Sequence, residues 1–290
     1  MEFATFDPLT ASDDELITWC EQATFIHGGE GFNGVVQPAS TVVIKIGSEV
    51  TKEEARNQTY AYEQLKDTDL QVPQVYRYFS REQDSFRKGF LMMEYIPGRS
   101  MDECMADDGR DEAQQIYAQY IFRALNILSN IAIPPRQPPG PVGGGIPRGY
   151  LFQGCNSEFG SIQEMNAWLN ERLLLAQDPT SKVYKTIDLY EQARTGTLDF
   201  QNTLCMVHGD PAPRNFIMKD DGQLALLDWG FAGFYPKIFE AFCARVRESW
   251  DPVLSKVYKL LMDTTQLDDT FWKLRCVQTV NFKFPGEFDR

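Results

Sequence analysis

Residues 208–215 read HGDPAPRN, and residues 224–230 read LALLDWG. The first stretch carries Asp210 and Asn215 on a loop stiffened by prolines, and the second is a hydrophobic run that leads into Asp228. Each residue alone has a structural explanation, as part of a turn, a loop or a cap. Phosphoryl transfer, however, needs a carboxylate to receive the proton of the attacking hydroxyl, with an amide oxygen and a second carboxylate as Mg²⁺ ligands. The joint order and spacing therefore predict a phosphotransferase site.

The chain changes its secondary-structure pattern at Gly98. Before it, β-branched and apolar runs alternate with one helix, which begins at a capping box on Thr51 and should run to about Leu65. After it, apolar residues recur at helical spacing, as in 111–131. Six Pro and four Gly fill 10 of the 14 positions of 134–147, a composition that predicts an irregular loop. The pattern predicts a small part that contains a sheet and a larger helical part.

The same stretches resemble a known enzyme group. The sequences at 208–215 and 226–236 are similar to those of aminoglycoside phosphotransferases and choline kinases, which are protein-kinase-like enzymes, and particularly to their fungal members. The glycines at 143–145 and the sequence MMEYIPG at 92–98 also fit this group, and the similarity extends over about 24–247. The resemblance implies an α+β, protein-kinase-like bilobal fold, with a small antiparallel-sheet N-lobe and a larger, mainly helical C-lobe.

The resemblance also implies how the chain divides and where it departs from its relatives. Residues 1–97 would form the nucleotide-binding lobe, and residues 98–290 the catalytic and substrate-binding helical lobe. Many fungal relatives carry Glu after Asp-Trp, whereas this chain has Gly230. The departure leaves Asp228 in place but removes one carboxylate and gives the loop a more permissive backbone.

Individual roles follow from the resemblance, residue by residue. Asp210 would be the catalytic base, and Asn215 and Asp228 would bind Mg²⁺. His208 would brace the catalytic loop, which is close to the role of any packed, hydrogen-bonded histidine. Arg214 would pair with a neighbouring carboxylate, contact a substrate phosphate or form a surface salt bridge.

Lys45 lies inside the apolar strand predicted at 41–46, where an unpaired ammonium group would be costly. Kinases use such a lysine to hold the α- and β-phosphates, with a helix glutamate as its partner. A lysine on an edge strand that points to solvent is the alternative. The family pattern favours Glu54 over Glu53 and Glu63 as the partner, although Glu54 also has the spacing that closes a capping box.

Two further stretches could contact a nucleotide. Residues 28–34 read GGEGFNG, and Gly31 and Gly34 would let backbone N–H groups approach the triphosphate. A hairpin turn at residues 33–34 explains the same glycines, and the two interpretations are compatible. Glu94 and Ile96 lie at the predicted lobe junction, where their backbone groups would bind a purine.

Composition limits the partners of the chain. Its 290 residues carry 41 acidic and 28 basic side chains, for a formal net charge of -13, which argues against nucleic acids and anionic membranes as partners. No apolar run reaches the roughly 20 residues that span a bilayer, and the acidic start argues against a targeting peptide. The six cysteines have no close pair, as is typical of reduced thiols. We expect a cytoplasmic protein, and the sequence leaves its oligomeric state open.

The sequence thus predicts a kinase that transfers the γ-phosphoryl group of ATP or GTP to a hydroxyl of a small metabolite with the help of Mg²⁺. A cationic acceptor such as an amine is one explanation of the acidic excess, and a solvated acidic surface is the other. The alternative from a different class is a nucleotide-binding pseudokinase or scaffold without turnover. A protein kinase is disfavoured, because the short interval from Asp228 to Tyr235-Pro236 leaves little room for a peptide-presenting loop.

Overall fold

A computed structural model describes residues 7–29, 33–83, 86–108, 110–186, 193, 195–201, 203–219, 222–265 and 268–283. The chain divides into two compact units. Unit 1 consists of Met1–Arg99 and Ile217–Gly230, and unit 2 consists of Ser100–Phe216 and Phe231–Arg290.

Unit 1 is built on an antiparallel five-stranded sheet. In spatial order its strands are β1 (Phe25–His27), β2 (Gly34–Ala39), β3 (Val42–Gly47), β6 (Phe86–Glu94) and β5 (Val75–Gln83). A second sheet has the order β4 (Leu70–Gln71), β10 (Leu224–Leu226), β9 (Phe216–Met218) and β7 (Arg99–Ser100). The helices of this unit are α1 (Asp13–Gln22) and α2 (Lys52–Leu65). Helix α2 begins where the sequence predicts, because the Thr51 side chain accepts a hydrogen bond from the Glu54 backbone N–H at 3.1 Å.

Strand β3 presents different chemistry on its two faces, since successive side chains of a strand alternate. Ile44 and the residues two positions before and after it pack against α1, in a cluster with Leu16. Lys45 stands opposite Leu91 of β6, and Leu91 packs with Ala55 of α2. The lysine therefore lies on the face of the sheet that carries α2.

Unit 2 is mainly helical. Its helices are α3 (Met101–Asp108), α4 (Asp111–Ser129), α5 (Ile162–Gln177), α6 (Lys182–Thr186), α7 (Ile238–Arg247), α8 (Val253–Thr265) and α9 (Asp268–Lys283). A short antiparallel ribbon joins β8 (Cys205–Val207) to β11 (Gly233–Tyr235). The loop at 134–147 is irregular, as predicted, and Gly140 fixes it to β11 by two backbone hydrogen bonds with Phe234. The expected fold class is confirmed: an antiparallel sheet forms the core of the smaller unit, and helices form most of the larger one.

Two expectations from composition can be compared with this fold. All six cysteines are free thiols, and Cys20, Cys155, Cys243 and Cys276 are buried. Within the ranges that the structure describes, no helix combines the length and the apolar character that crossing a bilayer requires.

Candidate active site

Lys45 forms the centre of a charged cluster in unit 1. Its Nζ donates to Glu54 Oε1 at 2.6 Å and to Asp228 Oδ1 at 2.8 Å. Strand β3 is an inner strand, flanked by β2 and β6, and the Lys45 side chain is only 11% exposed. Lys45 is therefore not an edge-strand lysine that points to solvent, and its glutamate partner is Glu54.

The charge on Lys45 is maintained by its two partners. Burial favours the neutral amine and acts to lower the pKa of Lys45, but the carboxylates of Glu54 and Asp228 outweigh this effect and raise the pKa above its ordinary value. Glu54 is almost completely buried, whereas the side chain of Asp228 is 42% exposed. The cluster thus combines an ammonium group whose charge is favoured by its two neighbours with a carboxylate that is partly open to solvent.

The backbone around Asp228 is specialised. Asp228 follows β10 and has a φ of 63°, in the left-handed region that non-glycine residues seldom adopt. The next residue, Trp229, is fully buried, and its indole N–H donates to the Leu226 carbonyl at 3.2 Å. Asn57 of α2 donates to the Trp229 carbonyl at 3.3 Å. These contacts hold the turn in which Asp228 is presented to Lys45.

The catalytic loop predicted at 208–215 lies in unit 2, directly after β8. Gly209 has a φ of +80°, and a Cβ there would come within 2.7 Å of the Phe231 carbonyl oxygen, so the turn requires glycine. A short 3₁₀ helix, Pro213–Asn215, closes the loop. Both Asp210 and Asn215 are 4% exposed.

Asp210 and Asn215 are joined directly. Asn215 Nδ2 donates to the Asp210 carbonyl at 2.9 Å and to its carboxylate Oδ2 at 3.2 Å. Arg214 Nη2 also donates to Oδ2, at 2.5 Å. The neighbouring carboxylate that pairs with Arg214 is therefore that of Asp210. His208 is fully buried, and its Nδ1 accepts a hydrogen bond from the Asp210 backbone N–H at 3.4 Å.

Glu240 of α7 is a buried residue of the site that the sequence analysis missed. Its carboxylate accepts hydrogen bonds from the backbone N–H groups of His208, at 2.6 Å, and Gly209, at 3.2 Å. Burial raises the pKa of Glu240 to about 7, even though these two bonds favour the ionised form. The sequence does carry one indication of its role: Glu240 is the single acidic residue in an otherwise apolar first turn of α7. A carboxylate in such a turn is expected to be buried and to accept hydrogen bonds.

The raised pKa of Glu240 predicts a pH dependence of stability. Below its ordinary value of 4.5 the group is protonated in both states, and above it the unfolded chain releases the proton first, so stability falls until the pH reaches about 7. Relative to Glu240→Gln, we expect the wild type to lose about 2 kcal/mol between pH 5.5 and 7.5, from about 1.5 pH units at about 1.36 kcal/mol each. Urea unfolding at several pH values measures this. The exposed Glu112→Gln substitution is the control, and a wild-type-minus-Glu240→Gln difference independent of pH would contradict the prediction.

Tyr150 and Arg247 also contact the site, and no local signal in the sequence indicated them. Tyr150 lies on the loop after the Pro- and Gly-rich segment, and its hydroxyl is 3.2 Å from Asp210 Oδ1. Arg247, at the end of α7, donates to the Tyr150 hydroxyl at 2.8 Å and pairs with Asp251 at 2.7 Å. They come from segments about 60 and 37 positions away from Asp210 along the chain, so only the tertiary structure brings them together.

The remaining predicted nucleotide contacts stay predictions. Gly31 lies outside the described residues. Gly34 begins β2, and a Cβ there would come within 2.4 Å of the Phe25 ring, so packing alone accounts for this glycine. Glu94 ends β6, and its backbone N–H donates to the Gln74 carbonyl at 2.8 Å. Ile96 is buried. Purine binding by the backbone of Glu94 and Ile96 stays a prediction.

Each of the two predicted Mg²⁺ ligands, Asn215 of unit 2 and Asp228 of unit 1, has the oxygen chemistry that Mg²⁺ prefers. Both side-chain hydrogen bonds of Asn215 use its Nδ2, so its amide oxygen faces no competing donor from these bonds, and Asp228 keeps an exposed carboxylate. No group of three or more His, Cys, Asp or Glu suited to a metal occurs within the described ranges. Mg²⁺ does not require one, because it is commonly held by one or two carboxylates together with substrate phosphates and water.

Comparisons with known proteins are consistent with this geometry. The model of the family described as "Phosphotransferase enzyme family" matches residues 23–258. The crystal structure of an aminoglycoside-3'-phosphotransferase of type VIII is similar at a TM-score of 0.53 and 14% identity, over 92% of this chain and 98% of that one. This likeness shows the same protein-kinase-like fold.

Two further solved structures are similar over most of their length. The apo form of a thermostable mutant of aminoglycoside phosphotransferase APH(4)-Ia has a TM-score of 0.47 and 15% identity, over 93% of this chain and 98% of that one. The streptomycin-ATP-APH(2")-IIa ternary complex has a TM-score of 0.49 and 15% identity, over 91% and 90%. No curated protein matches the chain.

Proposed function

Because the chain belongs to the phosphotransferase enzyme family, we propose that it transfers the γ-phosphoryl group of ATP or GTP to a hydroxyl group of a small metabolite. The reaction would depend on Mg²⁺. A cationic acceptor, a closer kinship with choline kinases or fungal members, and a cytoplasmic location stay predictions.

The observation that carries the proposal is the double contact of Lys45. One ammonium group, held on an inner strand, pairs at once with a buried helix glutamate, Glu54, and with the more exposed Asp228. A lysine held in this way would supply a fixed positive charge for the α- and β-phosphates, and Asp228 would be a ligand for their metal. A surface salt bridge would not need two carboxylates or an inner strand.

The roles of the other residues follow from their chemistry. Asp210 would orient the acceptor hydroxyl and receive its proton, and Glu240 and His208 would hold the loop that presents Asp210. Asn215 and Asp228 would hold Mg²⁺, which neutralises charge on the phosphates when it is bound. Catalysis would therefore consist mainly of positioning and electrostatic stabilisation.

Nucleotide binding and turnover test this proposal separately. We expect Mg-ATP or Mg-GTP to raise the melting temperature of the wild type, since a ligand at 100 times its Kd stabilises the folded state by about 2.7 kcal/mol. The shift should shrink in Asp228→Asn, which removes the negative charge of a proposed metal ligand, and persist in the exposed control Asp269→Asn. ADP release is then measured over a panel of hydroxylated metabolites.

Each result has a distinct meaning. Stabilisation by nucleotide together with ADP release in the presence of an acceptor would support the kinase. Stabilisation without ADP release from any acceptor would indicate a pseudokinase instead. If neither nucleotide shifts the melting temperature, the proposal fails.

A further inference from the structure

The two carboxylate oxygens of Asp210 are held by different parts of unit 2. Oδ2 receives its hydrogen bonds from Arg214 and Asn215, which belong to the same loop as Asp210 itself. Oδ1 is approached by Tyr150 Oη at 3.2 Å and by Arg247 Nε at 3.6 Å. The loop thus fixes one oxygen, and residues distant in sequence determine the surroundings of the other.

The hydrogen bonds through Tyr150 have a defined direction. Burial, with the nearby charge of Asp210, raises the pKa of Tyr150 to about 12, so its hydroxyl keeps its proton at neutral pH. This hydroxyl accepts a hydrogen bond from Arg247 Nη1 at 2.8 Å. Its own proton is therefore directed to Asp210 Oδ1, which gives a chain from Arg247 through Tyr150 to the carboxylate.

Charge balance alone does not account for the hydrogen bonds that link Arg247 through Tyr150 to Asp210. Arg247 already pairs with Asp251, four positions further along the sequence, through Nε at 3.1 Å and Nη2 at 2.7 Å. Asp210 already has Arg214 as its cation. The link through Tyr150 adds direction rather than charge, because a hydroxyl bond constrains the plane of a carboxylate more closely than a diffuse ion pair does.

The Tyr150 ring is itself fixed by packing. It meets the Phe231 ring edge-on, with centroids 5.5 Å apart and an interplanar angle of 82°. The preceding residue, Gly149, has a φ of +109°, and a Cβ there would come within 3.2 Å of the same Phe231 ring. Tyr150 is therefore placed by a tight backbone turn and an aromatic contact, and its hydroxyl has little freedom to leave Asp210.

We infer that Tyr150 and Arg247 are positioning residues for Asp210, and that Oδ1 is the oxygen that receives the proton of the acceptor. The inference rests on the proposed function, since it assigns Asp210 as the base. Oδ1 accepts one hydrogen bond, from Tyr150 at 3.2 Å, and has Arg247 Nε as an ion-pair neighbour at 3.6 Å, whereas Oδ2 accepts two hydrogen bonds from its own loop. Oδ1 is accordingly the oxygen at which an acceptor hydroxyl can enter while Oδ2 stays anchored to the loop.

The kinetic test uses Tyr150→Phe, Arg247→Gln and the double variant, with Arg245→Gln as the control on the same helix. ADP release from Mg-ATP is measured with water and with the hydroxylated metabolite that the wild type turns over fastest. We expect kcat to fall by about 10–100-fold in each single variant, the effect of a small misplacement, while the Kd of Mg-ATP is unchanged. The double variant should be no slower than the slower single variant, because both residues act through the same series of hydrogen bonds to Asp210.

Wild-type kcat in Tyr150→Phe would overturn the inference, and so would a double variant whose defect is the product of the two single defects. Arg245→Gln should stay within about twofold of the wild type. A raised Kd for Mg-ATP with unchanged kcat would place the pair in nucleotide binding and would also overturn it.

A second measurement does not depend on turnover. We expect Tyr150→Phe to lower the melting temperature by about 2–4 °C in the wild type, from the loss of a hydrogen bond to a carboxylate. The shift should be smaller in an Asp210→Ala background, where only the hydrogen bond from Arg247 is lost. An equal shift in both backgrounds would show that Tyr150 does not act on Asp210. If no acceptor is turned over, the proposed function fails, whereas this stability coupling still decides whether Tyr150 holds Asp210.

Discussion

The Asp210→Asn variant should lose about 10²–10⁴-fold in the rate of phosphoryl transfer, the typical contribution of a general base. Asparagine keeps the size of the side chain, but its amide cannot receive the proton of the acceptor hydroxyl. Arg214 and Tyr150 both donate hydrogen bonds to the carboxylate in the wild type. In the variant one of these two donors would face the N–H group of the amide. The rate is measured as ADP release from Mg-ATP with the metabolite that the wild type phosphorylates.

The Asp210→Asn result needs a control for the loss of one negative charge. Asp269→Asn removes the same charge from an exposed position of unit 2 and should leave the rate unchanged. The affinity for Mg-ATP, measured by calorimetry, should stay within a fewfold of the wild type, because Lys45 and Asp228 are intact. Equal rates for Asp210→Asn and the wild type would show that Asp210 is not the general base.

Lys45→Met should destabilise unit 1 by about 3–5 kcal/mol, because it leaves the carboxylates of Glu54 and Asp228 next to one another without their shared cation. Methionine has a similar length and burial preference, so packing changes little. Guanidinium unfolding measures the effect. Lys88→Met, which removes an exposed lysine from the neighbouring strand β6, is the matched control and should cost much less.

A double variant separates charge from packing in the Lys45 cluster. In Lys45→Met/Glu54→Gln the buried carboxylate is neutral as well, so much of the lost stability should return. Nucleotide binding should stay impaired, because the lysine for the phosphates is still missing. If Lys45→Met is as stable as the wild type, the two ion pairs are not the interactions that hold this cluster together.

Local sequence was sufficient for the elements that depend on neighbouring residues. Thr51 and the residues after it predict a helix from about 52 to 65, and α2 has those limits. The apolar run at 41–46 predicts a strand that contains Lys45, and β3 is that strand. In both cases the signal spans only a few positions, as a capping bond or a short run of β-branched and apolar residues.

Contacts between distant segments were beyond the reach of sequence reasoning. Glu240, Tyr150 and Arg247 reach the loop at 208–215 only because α7 and the loop after 134–147 pack in unit 2. A tyrosine or an arginine at such positions is common on protein surfaces, so its residue type alone predicts nothing. The apolar neighbours of Glu240 indicate that it is buried, but not which loop it contacts. The motif, by contrast, was informative because its residues are constrained within a single loop.

The structure also sharpens the meaning of the departure at Gly230. A Cβ at this position would lie 3.5 Å from Asp228 Oδ1 and 3.6 Å from Glu54 Oε2. A glutamate there would begin beside two carboxylates that already share one lysine. Glycine therefore keeps the local charge of the cluster from becoming more negative in a chain whose net charge is already -13.

The central claim is that Asp210 serves phosphoryl transfer to a small hydroxylated molecule. The most direct measurement is mass spectrometry of the acceptor pool after incubation with Mg-ATP and either the wild type or Asp210→Asn. We predict that the wild type yields an acceptor that has gained one phosphoryl group, with an equal amount of ADP, and that Asp210→Asn yields at most a few per cent of it in the same time. The claim would be contradicted if no acceptor gained a phosphoryl group although Mg-ATP binds, or if both proteins produced it at the same rate.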